Sequence, residues 1–277
     1  MAQSTVNLPY FDLLLEFIDR SPTIKTAFNR HVHWGYWPNP QRATFTAEDF
    51  ANAAERLSQE VYGAATIANG QTVVDVGCGF GGTIASLNEH FSDLQLTGVN
   101  IDSRQLDRAK EWVIPQNNNV INWVEANAIA LPFADASVDV VLAVECIFHF
   151  PSRQQFLQEV RRILKPGGQL AISDFLPFDL VSTLPLLKNN PIGDSFYGGF
   201  DISYTIASYR DLAQKTGFHL AIERDITTET LPTYDCLRRL AMELKWFEVS
   251  AMTQTLAIEL VSRLRLLNYW ILKFDRW

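Results

Sequence analysis

Between residues 72 and 175 short apolar, β-branched runs alternate with helical segments, and few folds accept that pattern. TVVDV (72–76), LQLTGV (94–99), VINWVEA (120–126), SVDVVLAVECI (137–147) and GQLAISDF (168–175) read as five strands. Most are continuous apolar runs, as strands are when both sheet faces are covered. Gly77 to Gly82 is a turn, and a helix follows over Thr83 to Phe91. Further helices begin at Ser103 and span 152–164, the second stopping at Lys165-Pro166-Gly167-Gly168. That stop combines a C-terminal cation, a breaker and turn glycines. The alternation predicts an α/β fold with a mostly parallel sheet and helices on both sides.

Outside this block the pattern changes. A first helix is expected over about 4–20, then a break at HVHWGYWPNPQRA (31–43), then a helix from an N-capping Thr46 to Ala64. Residues 176–203 hold Pro177, Pro185, Pro191 and several aromatics, and read as an inserted cap. A helix over 205–216, a strand at FHLAIERDI (218–226), two helices within 232–266 and a last strand at LNYWILKF (267–274) complete the chain. With no linker, residues 1–277 are expected to be one domain. Its parts are a helical cap (1–64), a first half (65–175), the cap insertion (176–203) and a second half (204–277).

Charge and cysteines bound the partners. A net charge of −8 argues against a phosphate-neutralising groove, so no nucleic acid is expected. Three distant cysteines, Cys78, Cys146 and Cys236, give neither a disulfide framework nor a zinc pair, which points to a reducing, cytoplasmic setting. The N-terminus lacks a basic region before its apolar stretch, and no uncharged run reaches the roughly 20 residues of a membrane span. His31 and His33 lack carboxylate or cysteine partners in sequence, so no metal is expected. Oligomeric state is left open.

The turn VVDVGCGFGG (73–82) carries the most chemistry. Gly77, Gly79 and Gly81 permit positive φ and close approach of backbone to a ligand, whose polar groups would meet N–H groups at the helix start. Their spacing departs from the dinucleotide pattern, which disfavours an oxidoreductase. With LPFADASVDVVLAVECIFHF (131–150) and RRILKPGGQLAISDF (161–175), the turn resembles the ordered motifs of class I S-adenosylmethionine-dependent methyltransferases over about residues 65–227. HWGYW (33–37) is similar to the covering segment of the natural-product subgroup, which includes sugar O-methyltransferases and tocopherol-type C-methyltransferases.

The resemblance implies a Rossmann-like seven-stranded sheet of order 3-2-1-4-5-7-6 with strand 7 antiparallel. It implies S-adenosyl-L-methionine as cofactor and S-adenosyl-L-homocysteine as product. Carried over, it assigns Asp75 and the turn Gly77, Cys78 and Gly79 to the methionine part. Asn100, Ile101 and Asp102 fall to the ribose, Asn127 and Ala128 to adenine, and Val144, Glu145 and the covering Tyr36 to the methionine end. Asn100 and Asn127 stand where the family often has acids, and an amide has a single acceptor oxygen.

His149, just past the fourth strand, is the candidate base, with Asp174 second; each equally fits a structural carboxylate or imidazole. Trp34, Phe148, Phe178, Phe196, Tyr197 and Phe200 are the candidate acceptor wall, although many aromatics here would serve as core. A lid this aromatic, with Lys188 the only cation between Lys165 and Arg210, points to a small, apolar, lipid-like or natural-product acceptor. Two rivals stay open: an isoprenoid C-methyltransferase working through a carbocation, and a non-catalytic cofactor-binding protein.

Overall fold

The computed structural model describes residues 8–179, 196–199, 201–243 and 248–277. Seven strands form one sheet: β1 (Thr72–Val76), β2 (Gln95–Asn100), β3 (Val120–Glu125), β4 (Val138–Val144), β5 (Leu164–Pro177), β6 (Phe218–Asp225) and β7 (Leu267–Arg276). Their order is β3-β2-β1-β4-β5-β7-β6. β7 runs antiparallel to both β5 and β6, and the remaining pairs are parallel. This is the sheet expected from the sequence.

The helices are α1 (Pro9–Ile18), α2 (Pro22–Phe28), α3 (Ala47–Ala64), α4 (Gly82–His90), α5 (Ser103–Trp112), α6 (Arg153–Ile163), α7 (Ile206–Thr216), α8 (Thr227–Thr230), α9 (Pro232–Glu243) and α10 (Val249–Arg263). Local chemistry sets several starts: the Thr46, Ser152 and Asp102 side chains accept from the backbone N–H of Asp49, Gln155 and Arg104. The N-terminal helix expected over about 4–20 is α1, and a second helix that the sequence did not lead us to expect, α2, follows it. Ser21 caps the second and Pro22 opens it, where a proline's missing N–H costs nothing. Lys165 to Gly168 does not separate helix from strand. It lies within β5, with a register shift between Val138 and Val140 of β4 absorbing the irregularity.

Alternate residues of β4 feed two cores. Val140, Leu142 and Val144 pack with Leu57 and Val61 of α3. Val141 and Ala143 pack with Phe156, Leu157 and Val160 of α6. A third cluster joins Phe11, Ile18, Ile24 and Phe28 of α1 and α2 to Phe50 of α3, Phe80 and Leu240 of α9. This third cluster fixes the N-terminal helices over the carboxyl ends of β1, β2 and β4.

Candidate active site

The glycine turn is shaped by contact. Gly77 has φ +79°, and a Cβ there would stand 2.6 Å from Cys146 Sγ. At Gly79, φ is +53° and a Cβ would stand 2.9 Å from Val32. Only glycine fits both positions. The N–H groups of Gly77 and Cys78 donate to the Val99 carbonyl at 2.8 and 3.0 Å, which ties the turn to the end of β2.

Beside the turn lies a cleft lined by Asp75, Gly77, Cys78, Gly79, Asn100, Ile101, Asn127, Ala128, Val144 and Glu145. These come from the ends of β1, β2 and β4 and from the segment after β3, where open α/β sheets place ligands. Asp75 is buried, and its Oδ1 has no hydrogen-bond partner in the protein. Burial pushes its carboxyl up to about 7. A buried, unsatisfied carboxylate oxygen in a cleft wall is a site for a cation. The Asn100 carboxamide is already committed: its oxygen accepts from the Ile101 and Asp102 N–H groups, and its NH2 donates to Gln105. The Asn127 oxygen accepts from the Ile129 N–H at 3.1 Å.

A second cavity, of about 710 Å³, adjoins the cleft. Trp34, Phe148, Phe196 and Tyr197 line it, together with Phe175. Tyr10, Leu13, Leu14 and Phe17 of α1 form another wall. α9 and α10 supply Leu237, Met242, Met252 and Leu256. Arg238 and Arg239 also reach it. Arg238 is paired with Asp235 and Glu259, and Arg239 donates to the Thr44 carbonyl.

Among the described residues five face both spaces: Tyr10, Val32, His33, Glu145 and His149. Glu145 sits at φ 51°, a conformation a non-glycine residue holds at a cost of about 1 kcal/mol. Its Oε2 accepts from the Trp34 N–H at 3.0 Å and from the Tyr269 hydroxyl at 2.5 Å. Desolvation still pushes its carboxyl up to about 8. His149 donates from Nδ1 to the Gly199 carbonyl at 2.8 Å in its neutral form, which leaves the lone pair on Nε2. Burial lowers its pKa to about 4, so it is neutral at pH 7. His33 contacts the Trp34 carbonyl through Nδ1 at 2.9 Å, and His31 Nδ1 and Ser58 Oγ through Nε2. His31 reaches Glu55 at 2.8 Å, so this pair anchors the segment between the two spaces. No group of three or more metal-binding side chains occurs among the described residues.

Four expected site residues lie elsewhere. Tyr36 is absent from both linings; Glu60, Glu229 and Arg224 surround it, and Tyr10 of α1 lies over the cleft instead. Asp102 caps α5, pairs with Arg104 at 2.7 Å and lines neither space. Asp174 is fully buried against Arg153 at 3.0 Å and accepts from the Tyr209 hydroxyl at 2.5 Å. That closed network leaves it no access to an acceptor, so it is not a base. Phe178 is exposed and lines neither space. Phe200 lies outside the described residues.

Residues 74–172 match the methyltransferase domain family. Methyltransferase GfsG of Streptomyces halstedii is 31% identical over 217 residues, which cover 76% of this chain and 73% of that protein. The chain belongs to the class I S-adenosylmethionine-dependent methyltransferases. The O-methyltransferase rstn1 of Aspergillus nomiae is 34% identical over 144 residues, 52% of this chain and 62% of the relative. The solved mycolic acid cyclopropane synthase CmaA1 shares the fold, with a TM-score of 0.77 at 16% identity over 96% of each chain.

The methyltransferase's cleft fits its cofactor. The orphaned Asp75 oxygen suits an ammonium, and the glycine turn leaves the room that a side chain would fill. Gly79→Arg should therefore abolish S-adenosylmethionine binding in calorimetry while the melt stays cooperative. Retained affinity would reduce the turn to a structural role.

Proposed function

We propose that the enzyme methylates a small, largely apolar natural product or lipid-like metabolite held in the aromatic cavity. The observation carrying this is the 710 Å³ space, mostly apolar, that meets the cofactor cleft at a wall of five residues. Its size suits a ligand of drug-like dimensions. The cofactor supplies an already activated methyl group on a sulfonium. What remains for the chain is to align the acceptor and to receive a proton when the acceptor atom bears one. Trp34, Phe148 and Tyr197 hold the acceptor, and Nε2 of neutral His149 takes the proton. The name of rstn1, an O-methyltransferase, supports oxygen as the acceptor atom.

A second reading is carbon methylation of an isoprenoid through a cation. It is favoured by the rings of Trp34, Phe175 and Phe148, which line the cavity and whose faces stabilise positive charge. Screening acceptors by mass spectrometry for the gain of one methyl group tests both readings, since fragment masses locate the methyl on oxygen or carbon. With the acceptor in hand, His149→Ala should lower kcat by about 10²-fold, with cofactor affinity unchanged. Unchanged turnover would leave positioning alone and remove His149 as the base.

A further inference from the structure

The outer face of α10 is unusual for a helix of a water-soluble enzyme. Val249, Met252, Leu256 and Leu260, with Leu264 just past its end, are 72%, 41%, 50%, 59% and 58% exposed. Their spacing of three, four, four and four residues places them on one stripe. The helix has two charged residues, Glu259 and Arg263, and Glu259 is buried. No carboxylate of the helix therefore interrupts the stripe.

We propose that this stripe docks the enzyme on an uncharged lipid surface, from which the acceptor enters the cavity; the entry step rests on the acceptor reading above. Two observations select lipid over a second protein. First, the stripe runs into the cavity: Met252 and Leu256, with Met242 of α9 (63% exposed), are at once on the surface and in the cavity wall. A protein seated there would cover an apolar acceptor's way in, whereas a lipid surface spares that acceptor a passage through water. Second, the face is too small for a stable pair. Fifteen residues make a helix about 22 Å long and about 10 Å wide, roughly 220 Å² against the ~800 Å² per partner of a standard interface. That is the footprint of an interfacial helix lying shallowly in a membrane.

Charge decides the kind of surface. The chain carries −8, and the arginines at the end of the stripe are paired, Arg263 with Glu259 and Asp235, and Arg265 with Asp225. Anionic lipid therefore adds no attraction.

Flotation with phosphatidylcholine vesicles, without cofactor or acceptor, tests docking apart from methyl transfer. The full chain should float with pure phosphatidylcholine, and no more strongly when a third of the lipid is phosphatidylserine. The double variant Leu260→Asp, Leu264→Asp spares the cavity lining and should weaken vesicle binding at least tenfold, with S-adenosylmethionine affinity unchanged. Leu260→Ser, Leu264→Ser should do the same if the aspartates disturb folding. The proposal is overturned if the enzyme stays in the aqueous fraction or binds only with phosphatidylserine. It is equally overturned if light scattering shows a dimer that the double variant dissociates.

Discussion

Asp75→Asn should both cripple cofactor binding and stabilise the free enzyme. Removing a charge-assisted hydrogen bond to an ammonium loses about 1.5–3 kcal/mol, a roughly ten- to hundredfold rise in Kd. The gain in stability follows from linkage. Burial holds the folded-state carboxyl at about 7, well above its ordinary value. A carboxyl raised in this way favours the folded state fully below its unfolded pKa of about 4, and that favour is lost as pH rises through 7. At pH 8 the free enzyme thus carries a desolvated charge costing at most about 4 kcal/mol, at 1.36 kcal/mol per pH unit. Asparagine removes the charge but buries an amide, so a net gain on the order of 2 kcal/mol is expected. Urea melts should show the variant more stable at pH 8 and level with wild type at pH 5. Calorimetry in buffers of different ionisation heat at pH 6.5 should show cofactor binding expelling a proton in wild type. The variant should lose the Asp75 share of that proton and keep any share from Glu145. A destabilised variant at pH 8 would mean that Asp75 is satisfied within the free protein.

Arg153→Met is the second large effect, and it concerns folding. The guanidinium is fully buried and holds Asp174 through Nε and Nη2 at 3.1 and 3.0 Å, Asp201 at 2.6 Å, and the Asp201 carbonyl at 2.8 Å. Its carbon lies 4.7 Å from the Tyr204 ring centroid. Removing one partner of a buried pair strands the other charge, at a cost of about 3–5 kcal/mol. Asp174 then takes up a proton more readily, so the loss should be smaller at pH 5 than at pH 8. The double variant Arg153→Met, Asp174→Leu should recover much of the stability in denaturant melts. If it recovers none, Asp201 and Tyr209 are the partners that matter.

The sheet was legible because each strand carries its own signal. Runs such as TVVDV and VDVVLAV are short, rich in β-branched residues and buried on both faces, which favours a strand over a helix. The cleft followed from the glycine turn for the same reason, since positive φ and close contact leave a visible residue type. The acceptor side left no such mark. Tyr10, Leu13, Leu14 and Phe17 have the spacing of any amphipathic helix, and a stripe facing a cavity reads like a stripe facing a core. Asp174 shows a different limit. Its place at a strand end was visible, but its partner Arg153 stands 21 residues earlier on another element, and only packing brings the two together. Tyr36 was misplaced because two residues of one motif diverge: the Trp34 N–H turns to Glu145, whereas the Tyr36 N–H donates to the Ala53 carbonyl of α3. The unusual state of Glu145 had no sequence signal, because its positive φ and raised carboxyl arise from β4, the Trp34 segment and β7 together.

The wall shared by the two spaces has a consequence for how such an enzyme changes. The cleft is lined mostly from the sheet and its turns, the cavity mostly from helices and loops laid over it, and among the described residues Tyr10, Val32, His33, Glu145 and His149 line both. Diversity can therefore accumulate in α9, α10 and at Leu13, Leu14 and Phe17 of α1 with the donor half left intact. A library confined to those positions explores new acceptors on a constant methyl supply, and each substitution in the five-residue partition alters two recognition problems at once.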